Sequence, residues 1–138
     1  MKRLLAALTL ACSASATFAC GYCVEDKIAS TYDHALVTQA LAQKHHVVFF
    51  HIDGPLAQGE DARRWLEGTA AATAGVDKGS VRVSTGTLTI SLAFDPARTS
   101  LVKVQNALER RLAARKLTLM PLRVMDRPAD LRVVSGQQ

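Results

Sequence analysis

Val47-Val48-Phe49-Phe50-His51-Ile52-Asp53 is the stretch that decides the fold of this chain. It is too short for an ordinary helix, and it is rich in β-branched and aromatic side chains. Nearly every position is apolar, so it reads as a strand covered on both faces. Gly54-Pro55 ends it. A loop through Gln58-Gly59 leads to a helix from Glu60 to about Thr73, with Ala62, Trp65, Leu66 and Thr69 on one side and Arg63, Arg64 and Glu67 on the other. Gly75 is its C-terminal stop.

Downstream, Ser80 to Ser84 and Leu88 to Phe94 alternate with period two around Thr85-Gly86-Thr87, which predicts a β-hairpin. Asp95-Pro96 announces a second helix, striped by Leu101, Val104, Leu108 and Leu112, with Arg110 and Arg111 on a solvated face. A last strand, Leu117 to about Met125, contains Pro121. That residue cannot donate to a ladder, so the strand belongs at a sheet edge.

Upstream, Val24, Ile28, Tyr32, Ala35, Leu36, Ala40 and Leu41 recur at helical spacing, predicting one amphipathic helix from Val24 to about Lys44. Glu25 and Asp26 suit its positive end, and Lys44, His45 and His46 suit its negative end. The order that follows is strand, helix, strand, strand, helix, strand. This gives an α+β fold, a ferredoxin-like βαββαβ sandwich with an extra N-terminal helix, in which the first and third strands are central. Thr89, Ser91 and Ala93 leave room on the second face of the third strand. The extra helix is expected to cover that face, above Val47 and Phe49.

The first nineteen residues read differently. Lys2 and Arg3 precede an apolar run from Leu4 to Leu10 and then small residues through Ala19, the layout of an export signal cleaved after Ala16 or Ala19. The segments are therefore residues 1–19 as signal peptide, 20–46 as an N-terminal helix, 47–126 as the sandwich and 127–138 as a loose tail. The destination is the periplasm or the exterior. Membrane association is expected only if Cys20 is lipidated. Export removes two of 17 basic residues and leaves 15 against 12 acidic, a formal charge of +3. With few aromatics and no dense basic stripe, nucleic acid is a poor partner.

Cys12 leaves with the signal, so the exported chain keeps two thiols, Cys20 and Cys23, at the start of the first helix. Such a pair suits soft-metal binding, disulfide exchange or a structural disulfide. Rough lengths place them in the fold. A helix of about 21 residues spans ~31 Å and the first strand ~23 Å, so a tight turn at His45-His46 returns Cys20 and Cys23 to the end carrying His51 and Asp53. His51 joins them as a candidate metal ligand, although a half-buried strand residue is the plainer reading. His45 and His46 read as helix-end caps, with a second metal site as the alternative, and His34 as an exposed helix residue.

His51-Ile52-Asp53-Gly54, the helix after it, Gly75-Val76, the hairpin with Gly86, and Phe94-Asp95-Pro96 together resemble the heavy-metal-associated domain of copper chaperones and copper-transporting ATPases, over roughly residues 47–125. The resemblance implies a ferredoxin-like fold and a soft metal cargo. Where those domains carry Met-x-Cys-x-x-Cys after the first strand, this chain reads Pro55-Leu56-Ala57-Gln58-Gly59-Glu60, so no metal role carries over to that loop. The leading expectation is an exported, non-enzymatic protein that binds a soft metal, copper(I) first, through Cys20 and Cys23 and either buffers it or passes it to a receiving protein. The alternatives are a thiol-disulfide redox protein, whose partner would be a redox protein, and an interaction module stapled by a Cys20–Cys23 disulfide.

Overall fold

The computed structural model describes residues 23–131. The segment read as a signal peptide, Cys20 and the end of the tail lie outside them. Eight principal elements follow in order: α1 (Val24–Thr31), α2 (His34–Ala42), β1 (His46–Asp53), α3 (Glu60–Ala71), β2 (Arg82–Ser84), β3 (Thr89–Phe94), α4 (Leu101–Leu112) and β4 (Thr118–Met125).

The four strands form one antiparallel sheet in the order β2-β3-β1-β4. The two most apolar strands are central, and the strand carrying Pro121 is at an edge. This is the ferredoxin-like arrangement. Strand periodicity then sorts the side chains of β1. Val48, Phe50 and Ile52 point to the layer of α3 and α4 and join Leu66, Leu108 and Leu112 in the main core. Val47 and Phe49 point the other way and join Ile28, Val37, Leu41, Ala93 and Met125 in a second core under α1 and α2. The sheet is thus covered on both faces, as the apolar run requires.

The expected single N-terminal helix is two helices. Tyr32 leaves helical geometry, and the Asp33 carboxylate accepts the backbone N–H of Leu36 at 3.1 Å, capping a new helix. Its other oxygen takes the Arg82 guanidinium of β2 at 2.9 Å. The apolar spacing runs straight through this break, which is why periodicity alone reads one helix. A straight rod of ~31 Å would also overrun a sheet whose four strands lie about 4.8 Å apart. Two shorter helices can bury Ile28 and Leu41 on the same face.

The helix end is also revised. Lys44 takes φ 62 and its N–H donates to the Leu41 carbonyl, so it is the left-handed residue that closes α2. His46 already belongs to β1. In the hairpin the positive φ falls on Leu88, not on Gly86, and the Leu88 carbonyl accepts the Ile52 N–H at 2.7 Å. Trp65 is half-buried, with the Arg115 guanidinium 3.7 Å above its ring. The stretch read as a loose tail begins with a 3₁₀ turn, Pro128–Asp130. There the Asp130 carboxylate accepts the N–H groups of Asp126 and Arg127.

One irregularity sets the register of the edge. Val47, Val48 and Phe49 face Met125, Val124 and Arg123, after which the pairing shifts by one residue and Phe50, His51 and Ile52 face Pro121, Met120 and Leu119. Leu122 is the extra residue of this bulge.

Candidate metal centre

Successive positions of α1 meet successive strands. The Glu25 carboxylate pairs with Arg123 of β4 at 2.5 Å, and Lys27 Nζ lies 2.8 Å from His51 Nδ1 of β1. The Thr31 carbonyl accepts the Ser91 hydroxyl of β3 at 3.1 Å, and just past the end of α1 the α2 cap Asp33 holds Arg82 of β2. The helix therefore lies across the sheet from one edge to the other rather than back along β1. Its N-terminal turn still arrives at the end of the sheet that carries His51, because Lys27 is anchored there.

Cys23 is the N-cap of α1 and is exposed. Its Sγ accepts the Asp26 N–H at 3.4 Å, where an N-cap oxygen ordinarily sits. The second cysteine of the pair, rather than the first, thus occupies the positive end of the helix dipole. Cys20 precedes the cap by three residues in sequence and lies outside the described residues. Its distances to Cys23 and His51 are therefore not part of this geometry.

His51 is half-buried and its Nδ1 has two neighbours. The Leu88 carbonyl oxygen is 3.1 Å away and Lys27 Nζ 2.8 Å. If Nδ1 carries the proton, it donates to Leu88 and leaves the Nε2 lone pair free, the arrangement that orients a metal-binding imidazole. If Lys27 donates to Nδ1, the proton sits on Nε2 and that atom is a donor. An ion on Nε2 would select the first state. Among the described residues no group of three His, Cys, Asp or Glu side chains is arranged to hold a metal. A metal at this end therefore needs Cys20 or a donor of another type.

The remaining candidates are engaged elsewhere. His45 Nδ1 is 2.5 Å from Asp77 and its Nε2 is 3.8 Å from Asp95, so both ring nitrogens face carboxylates at the opposite end of the sheet. His46 packs edge-on against the Phe94 ring, and His34 contacts the Tyr32 hydroxyl at 3.1 Å. Among the described residues none of these histidines belongs to a group of three side chains arranged to hold a metal. Glu60, which the resemblance to heavy-metal-associated domains sets in one of their thiol places, opens α3. Hydrogen bonds from Arg63 lower its carboxyl to about 2, with help from Arg64, so it is committed to α3.

Two residues at this end escape the sequence reading. Lys27 reads there only as part of a charged helix start, and nothing local announces that it reaches a strand residue 24 positions away. Met120 reads as an ordinary strand residue. The bulge places it directly opposite His51, and the residue is 58% exposed.

No protein-family model and no curated protein matches the chain. Among solved structures it is similar to oxidised MerP from Ralstonia metallidurans CH34, at 19% identity over 56% of this chain and 96% of that one, with TM-score 0.43. It is also similar to a copper binding domain from HMA7, a P-type ATPase, at 14% identity over 57% of this chain and 96% of that one, with TM-score 0.46. A third similarity is to the N-terminal domain of a potential copper-translocating P-type ATPase from Bacillus subtilis in the Cu(I)-loaded state, at 16% identity over 59% and 92%, with TM-score 0.45. The ferredoxin-like assignment rests on the strand order and helix placement above.

Proposed function

We propose that this chain is an exported soft-metal-binding protein that holds copper(I) between the thiolates of Cys20 and Cys23 and buffers it or hands it to a receiving protein. The observation that carries the reading is the sulfur of Cys23. It is exposed at the N-cap of a helix tied to the sheet by Glu25–Arg123 and Lys27–His51. An exposed site on a fixed helix suits a carrier, because a partner's thiols can reach the ion and exchange ligands one at a time. Thiolate donors suit Cu(I) better than hard cations.

Charge supports the same reading. Two thiolates around a monovalent ion leave one excess negative charge, and the Lys27 ammonium is one helical turn from Cys23. His51, with Nδ1 donating to Leu88, would offer Nε2 as a further ligand or, in its other tautomer, an N–H to a sulfur. Export is supported by the layout of residues 1–19, and a copper cargo by the resemblance to heavy-metal-associated domains.

The test is anaerobic Cu(I) titration of the reduced protein against a chromophoric competitor, beside a Cys20→Ser, Cys23→Ser variant. Stoichiometric uptake that the variant loses is the expected result. Wild-type protein that takes up no Cu(I), or a variant that binds as well as wild type, would overturn the reading.

A further inference from the structure

We propose that the cavity at the end of the sheet opposite His51 binds a small molecule with two anionic groups, held by Lys103 and Arg110 of α4. The site is independent of the thiol reading above.

The cavity has a volume of about 890 Å³ and is walled by one face of α4, the loop after α3 and the turn between β3 and α4. Those walls are tied to one another. The Asp77 N–H donates to the Ala93 carbonyl at 2.9 Å, and the Asp77 carboxylate meets His45 Nδ1 at 2.5 Å. Gly75, at φ +88, lies so close to Thr99 that a Cβ there would come within 3.1 Å of the threonine methyl group. A site already formed loses little ordering entropy when a ligand enters.

The charges around the cavity are sorted. Its two carboxylates, Asp77 and Asp95, are engaged: His45 lies between them, and Arg98 reaches Asp95 at 3.6 Å. Lys103 and Arg110 line the same space, and among the described residues neither has an ion-pair partner. The Thr99 hydroxyl and the Asn106 amide, also in the lining, have no hydrogen-bond partner there either. Arg98, Lys103 and Arg110 outnumber the two carboxylates, so the cavity is net positive even with His45 neutral.

The other cationic helix shows the contrast. On α3, Arg63 and Arg64 bond Glu60 and Glu67 at helical spacing. The positions three and four residues from Lys103 and Arg110 hold Thr99, Ser100, Asn106, Ala107, Ala113 and Ala114, so no carboxylate stands where it could neutralise them. Seven residues separate the two cations along α4, a rise of about 10.5 Å on nearly one stripe. Asn106 and Ala107 lie between them. Two cations at this spacing, with an amide donor between, suit a ligand carrying two anionic groups, such as a diphosphate or a short dicarboxylate. Ala107 and Gly75 add no bulk to the space it would fill.

The test is a ¹H–¹⁵N NMR titration of the reduced protein with inorganic pyrophosphate and, separately, with glutarate, at constant ionic strength. The expected result is a saturable shift of the Asn106 side-chain amide and of the Gly75 and Thr99 backbone amides with at least one probe. The tighter probe identifies phosphate or carboxylate as the preferred group. Lys103→Ala and Arg110→Ala should each weaken that binding about tenfold, the scale of one hydrogen bond to a charged group. Arg111→Ala removes the same charge next door but outside the cavity lining, and should leave the affinity unchanged. The spectrum of each variant shows whether its fold is kept. Equal weakening by Arg111→Ala would mean diffuse attraction to a basic helix and would overturn the site, as would the lack of saturable shifts with both probes.

Discussion

Gly54 closes β1 at φ +124, and a Cβ there would overlap the Lys116 carbonyl oxygen and press on the Leu117 side chain. Only glycine fits, so Gly54→Ala should cost on the order of 2 kcal/mol through backbone strain, read as a lower midpoint in chemical denaturation. Thr31 presents the opposite case. It is buried, and its hydroxyl has no hydrogen-bond partner among the described residues. Thr31→Val keeps the shape and removes the unsatisfied group, and it should raise stability by about 1 kcal/mol. A midpoint shifted downward in the same assay would show that the hydroxyl is satisfied in solution.

The break between α1 and α2 decides what the N-terminal element can do, because it turns a rod along β1 into a strap across the sheet. Asp33 makes that break. The Leu36 N–H, together with Arg82, holds its carboxyl below the ordinary value of 3.8. A depressed folded-state value means the carboxylate adds stability that is fully present above pH 3.8 and is lost as pH falls through the lowered value. Wild-type protein should therefore lose thermal stability on acidification through that window. Asp33→Asn, which can still cap α2, should show a flatter pH profile, and Asp33→Ala should lower Tm further than Asp33→Asn at neutral pH. Equal Tm values for the two variants would mean that the cap contributes nothing. The pair is partly exposed, so its charge contribution should shrink in high salt.

At the scale of the molecule, the sheet needs both covers. Val47, Phe49, Ala93 and Met125 are all almost completely buried under α1 and α2. A chain lacking residues 1–44 should keep its main core yet expose this second face as a contiguous apolar patch. Strong binding of a hydrophobic dye and concentration-dependent association in sedimentation are the expected results. A truncated chain that stays monomeric and binds no dye would show that the second core is dispensable. The proposed metal site uses the same cover, since the helix that closes the core also carries Cys23.

Local pattern was enough for much of this protein. The apolar run of β1, the alternation in β3, the stripes of α3 and α4 and the edge placement implied by Pro121 follow from side-chain periodicity and the missing proline donor, so the ferredoxin-like order is legible before any contact is known. The break at Asp33 was not legible, because helical spacing continues through it and the local cap, Asp33 on the Leu36 N–H, is reinforced by Arg82 only once the sheet is present. The site divides in the same way. The Cys20–Cys23 spacing and the departure of the Pro55–Glu60 loop are properties of the sequence, whereas the meeting of Lys27 with His51 depends on the path of α1 over the sheet. Tertiary structure alone decided which residue of β4 faces His51. Continued without the bulge, the register of Val47–Met125 and Phe49–Arg123 would set Pro121 opposite His51, and the one-residue shift after Phe49 sets Met120 there instead. Strand period makes such a shift exchange the two faces of the sheet. The placement of Met120 opposite His51 therefore rests on a pairing between strands some 70 residues apart in sequence, beyond the reach of any local pattern.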